Sequence, residues 1–93
     1  MNDYKLIDKE RIPELTFPKE DVLLTNEEKE QRIADLNNVT ILGNAGHIKV
    51  EIFFEDTTTK YVVNTTVWGV TDARVILKQG IVIPINRIVK VSY

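Results

Sequence analysis

Asn86 and Arg87 stand side by side between two apolar runs in GIVIPINRIVKV, residues 80–91. An asparagine amide donates and accepts hydrogen bonds, and a guanidinium offers a planar fork of donors. The pair can therefore contact a base or a phosphate, or satisfy backbone groups in a tight turn. In the turn reading Asn86 serves the corner where one strand becomes the next, and Arg87 points to solvent. Arg74 and Lys78 fall on one face of a strand, with Lys60 and Lys90 as neighbouring cations. Such a row can track a phosphate backbone, or it can be the solvated outside of a small β-domain. Trp68 at a surface is a stacking platform or an interface anchor, and turned inward it is a partly buried core residue.

Catalytic constellations are missing. Without cysteine there is no disulfide, thiol nucleophile or thiolate metal site. The single histidine, His47, follows Gly46 at the mouth of a strand, where an imidazole is ordinarily solvated. Thr57, Thr58 and Thr59 are turn residues with no base to activate them, and Asp72 reads as the cap of a turn. No glycine-rich phosphate loop, metal-ligand spacing or nucleophile elbow occurs, so the chain reads as no enzyme, with no cofactor, metal or small-molecule substrate.

The elements that must position these residues follow from the pattern. Residues 1–24 scatter apolar side chains among charges, and Pro13 and Pro18 interrupt any long helix. They form an arm that is either loose or packed over the body or a neighbouring subunit. Thr25 followed by Glu28 makes a capping box, so a helix begins there with Ile33 and Leu36 as its apolar stripe. It ends either at Asn37-Asn38 or at Gly43. Glu27, Glu30 and Gln31 make its solvated side. From His47 the period drops to two: HIKVEIFFE, KYVVNTTVWGV, TDARVILKQG, IVIPI and RIVKVSY read as five strands. Phe53 falls on the wrong face of the first. Period two turns Tyr61, Val63 and Val67 inward and Trp68 outward. Pro84 belongs at an edge or a strand end, and one helical turn of backbone at Asn86-Arg87 would link the last two strands. The fold class is mainly β: an N-terminal α-helix followed by a five-stranded, strongly bent antiparallel barrel. Residues 25–93 form that domain.

Length and charge bound the rest. A chain of 93 residues buries only about 60–65% of its unfolded surface, too little for a deep catalytic cavity. At 43% hydrophobic and 28% charged, the composition is that of a folded globular domain. No stretch has the length of a membrane span or the form of a signal peptide, so the expected compartment is the cytoplasm. Residues 1–46 hold ten acids and six bases, residues 47–93 four acids and six bases, giving an acidic front and a mildly basic body.

The helix and bent strands, with VEIFFED, VTDARVILK and VIPINRIVKV as their punctuation, resemble the Sm-like fold of eukaryotic Sm proteins and bacterial Hfq. The resemblance covers residues 26–93. It departs from the family at Thr66, where a glycine is usual, at Thr71, where an aromatic is usual, and at Ile85, where glycine or lysine is favoured. An ungapped match turns Trp68 inward, and a one-residue bulge near Gly69 reconciles it with the strand period. By resemblance, Ile85, Asn86 and Arg87 would line a ring's pore and contact RNA. The acidic charge and leading helix also resemble Rof, the Sm-like inhibitor of the Rho termination factor, and the whole chain resembles small bacterial proteins. Two functions are therefore expected: a non-catalytic interaction module binding a protein partner or itself, or a weak RNA-binding ring protein using Asn86, Arg87, Arg74 and Lys78.

Overall fold

The computed structural model describes residues 3–93; the first two residues of the arm lie outside the described residues. The helix, α1, spans Asn26–Gly46. Thr25 Oγ1 accepts from the Glu28 N–H at 3.2 Å, and Glu28 accepts from the Thr25 N–H at 3.3 Å, so the expected capping box forms. The helix outruns both expected ends. It runs through Gly43 and stops only where His47 takes a left-handed conformation (φ 53°), its N–H closing onto the Gly43 carbonyl.

The buried positions of α1 are Arg32, Leu36, Val39 and Gly43, the helical stripe i, i+4, i+7, i+11. Ile33, expected on that stripe, is 53% exposed, because the inward register passes through Arg32 instead. α1 packs chiefly against two strands, β4 (Val67–Val70) and β7 (Ile88–Ser92). Gly43 sets how closely it does so: a Cβ there would lie 2.1 Å from the Val67 carbonyl oxygen, a backbone atom that cannot turn aside. Gly43→Ala should therefore destabilise by about 2 kcal/mol net, the clash outweighing the gain of about 1 kcal/mol in helix propensity. Urea unfolding would measure it; an unchanged or raised midpoint would show that α1 is free to move off β4.

Among the described residues, seven strands form two sheets. In the four-stranded sheet, of order β1-β3-β2-β7, β1 is Lys5–Leu6, β2 Val50–Glu55 and β3 Lys60–Thr65. The three-stranded sheet has the order β4-β5-β6, with β5 at Arg74–Leu77 and β6 at Val82–Pro84. The chain is thus mixed α/β with substantial strand content. KYVVNTTVWGV, expected as one strand, breaks at Thr66 into β3 and β4, and the chain passes there from one sheet to the other. It returns through a 3-10 turn at Ile85–Arg87, the single turn of helix expected between the last two strands. The first long strand starts at Val50, later than the pattern indicates, and Ile48 is 45% exposed ahead of it.

Alternation within the strands fills one core. Val50, Ile52, Phe54, Val63, Val67, Val75, Leu77, Ile83 and Ile88 are buried there with Leu36 and Val39 of α1. The arm contributes as well. Ile12 is 1% exposed, Ile7, Leu15 and Phe17 pack against the core, and β1 pairs in parallel with β3. Phe53, on the opposite face of β2, is covered from outside: Tyr4 meets its ring edge-on at 5.0 Å, and Lys90 Nζ lies 4.8 Å from its centroid.

Candidate functional site

Ile85–Arg87 is the corner between the sheets, and its polar side chains turn toward the arm. Asn86 Nδ2 donates to the carbonyls of Lys19 and Glu20, and the Asn86 carbonyl accepts from the Val22 N–H at 2.9 Å. Arg87 does not point to solvent. It is 8% exposed and spends its fork on three backbone carbonyls: Glu55 at 3.1 Å, Glu20 at 2.8 Å and Asp56 at 3.3 Å. An extended arm leaves carbonyls without strand partners, and a planar cation with donors on several nitrogens can satisfy them together. The β2–β3 turn is tied to the same arm, Thr57 Oγ1 donating to the Thr16 carbonyl at 2.8 Å.

A second clasp lies beside the first. Arg32, in the buried stripe of α1, donates through Nη1 and Nη2 to the two carboxylate oxygens of Asp21 at 2.9 and 2.7 Å, and through Nη1 to the Ile88 carbonyl at 3.0 Å. Asp21 also accepts from the Leu23 N–H at 2.8 Å. The guanidinium holds the Asp21 carboxyl below the usual carboxylate range; burial pulls the other way, and the Leu23 N–H adds a smaller lowering. Arg32 Nε is buried with no hydrogen-bond partner among the described residues. Neither Arg32 nor Asp21 stands out as a charge in the sequence. The spacing of Arg32 to Leu36, Val39 and Gly43 is the signal that places it inward.

A cleft of about 580 Å³ opens between arm, helix and corner. Phe17, Pro18, Ile33, Pro84 and Ile85 give it apolar walls; Lys19, Lys29, Arg32, Arg74, Asp21 and Asp72 line it with charge, and Asn86 borders it. The five residues singled out from the sequence are thus divided. Arg74 and Asn86 reach the cleft, Arg87 is buried behind the corner, and Lys78 is exposed in the 3-10 turn Lys78–Gly80 after β5. Trp68 is 47% exposed on the outer face of the other sheet, so it is no core tryptophan. The β4–β5 register shifts between Val67 and Gly69, a bulge at the position that keeps Val67 inward and Trp68 outward.

Asp72 does not supply the turn cap expected of it. Thr71 does, its hydroxyl accepting from the N–H groups of Ala73 and Arg74 at 3.2 and 2.9 Å. Among the described residues no cluster of three or more His, Asp or Glu could hold a metal ion, and no helix is long and apolar enough to cross a membrane. Compared with protein-family models, curated proteins and solved structures, the chain matches none.

Proposed function

We propose that this chain is a non-catalytic interaction module whose two sheets are halves of one strongly bent barrel of the SH3-like, Sm-like kind. It binds protein, in the first place a second copy of itself, through the outer face of β4-β5-β6. Support for the barrel comes from the two places where the chain changes sheet, Thr66 and the turn at Ile85–Arg87. The observation that carries the binding reading is an apolar row across that face. Trp68 and Val82 are 47% and 41% exposed, and Ile76 lies between their strands, paired with Val82 and, past the bulge, with Gly69. Contiguous exposed apolar side chains on a small domain are the usual mark of an interface, and an exposed indole is a favoured anchor.

The face is a better surface than the edges. Pro84 on β6 has no N–H to offer an added strand, and α1 backs onto the Val67 carbonyl of β4. An RNA-binding ring would have to draw Asn86 and Arg87 off the arm before either could meet a base.

Trp68 is the chain's one tryptophan, so its emission reports on this face alone. Solution mass should rise with concentration while the emission shifts to the blue, and Val82→Glu should leave a monomer whose emission does not depend on concentration. A wild-type monomer up to about 1 mM, the limit of weak association, would overturn self-association and leave the face to a different protein.

A further inference from the structure

The cleft at the corner is a second surface, with a different chemistry. We infer that it binds a short acidic peptide segment of a partner protein, seating one aliphatic side chain between flanking carboxylates. Its cations come from three separate segments: Lys19 from the arm, Lys29 from α1 and Arg74 from β5. None of the three is in an ion pair among the described residues; the Asp21 charge is answered chiefly by Arg32, with Lys29 acting on it only at longer range. That leaves Asp72 as the one opposing charge on the lining. In a chain of net charge −2 this is a local excess of positive charge, complementary to an anion.

The spread of these cations around apolar walls selects the kind of anion. Its volume of about 580 Å³ is within the range of small-molecule pockets, about 300–1,000 Å³, room for one side chain and far more than a single compact ion needs. Nucleic acid fits less well. The one aromatic ring on the lining, Phe17, leans on Phe54 in the core at 6.1 Å, so it is not offered as a stacking platform. Asn86 and the Arg32 fork, which could otherwise read base edges, are committed to the Lys19 and Glu20 carbonyls and to Asp21. What remains open is aliphatic surface, notably Ile33 at 53% exposure, ringed by point charges. That combination suits a leucine or isoleucine flanked by aspartate and glutamate.

The test uses a fluorescein-labelled peptide of sequence Asp-Glu-Leu-Asp-Glu, its Asn-Gln-Leu-Asn-Gln counterpart and a single-stranded oligouridylate, titrated with the full chain at low salt and followed by anisotropy. The acidic peptide should bind about tenfold more tightly than the neutral one. Lys19→Glu/Lys29→Glu should weaken it by about tenfold or more, since like charges then face it. Ile33→Ser, on an exposed site, should weaken it without reversing the salt dependence. Three results would each overturn the inference: no binding of the acidic peptide up to about 1 mM, unchanged binding by the double variant, or tighter binding of the oligonucleotide. The double variant should keep the wild-type solution mass. A change in mass alone would therefore point to the Trp68 face, and a change in peptide affinity alone to the cleft.

Discussion

Arg32→Met should lower the stability of the folded chain by about 3 kcal/mol, because it strands Asp21 beside a buried helix face and removes the donor to Ile88. The side chain of Arg32 is 5% exposed and that of Asp21 23%, so the pair is buried on one side and partly wet on the other. That places the effect at the low end of the range for breaking a buried ion pair, about 3–5 kcal/mol. Against a total of roughly 5–14 kcal/mol for a chain of this size, it is a large fraction. Asp21→Asn/Arg32→Met should recover part of the loss, since the cost lies mainly in the unpaired charge; the unpartnered Arg32 Nε argues the same way.

The clasp also sets a pH dependence. Asp21 has its folded-state pKa lowered from the ordinary 3.8, so folding favours the charged form. Its contribution is complete above that ordinary value and is lost as the pH falls below it, through the lower folded-state value. Glu28, held low chiefly by the Thr25 hydroxyl, acts in the same direction at an exposed site. Denaturant midpoints measured downward from about pH 5 should therefore fall steeply for the wild type and less steeply for Arg32→Met. Parallel slopes would show that the clasp is not formed in solution.

Arg87→Ala is expected to cost about 3 kcal/mol, close to the Arg32 effect but through a different mechanism. No carboxylate is involved: three backbone carbonyls on two segments lose their donor at once, each charge-assisted bond being worth about 1.5–3 kcal/mol and the set falling short of additive. Arg87→Lys should recover only a minor part, because one ammonium cannot reach Glu20, Glu55 and Asp56 together in the geometry of the fork. Amide exchange provides the local readout. The amide of Val22, bonded to the Asn86 carbonyl, should exchange much faster in Arg87→Ala while amides within β2 and β3 stay protected. Equal loss of protection throughout would show that Arg87 supports the whole fold and not the arm in particular.

What could be read from the sequence was what local chemistry decides. The capping box at Thr25, the alternation that buries Val50, Ile52 and Phe54 and the helical turn at Asn86-Arg87 all rest on neighbours a few residues apart. The rest depends on partners far along the chain. Asn86 and Arg87 look like a displayed polar pair until the carbonyls of Lys19 and Glu20, 67 residues away, are seen beneath them. The helix overran its expected ends because Gly43 is a close-packing position under Val67 and not a stop, and the stop passed to His47. Arg32 was hidden by its residue type: a buried stripe headed by a charge does not register as apolar, and Ile33 beside it drew the stripe one position out of register.

The clasp between the arm and the corner has a consequence for how the chain is made. Residues 19–22 leave the ribosome well before the groups that hold them, Asn86 and Arg87, some 67 positions further on. Until then the Ile12 and Leu23 side chains have no complete core to enter, and the Asp21 carboxylate has Arg32 but not the Ile88 strand behind it. Contacts of such long sequence separation form late and slowly. Residues 19–22 are therefore a waiting segment during synthesis, left open until the Ile85–Arg87 corner and β7 are made and close over them.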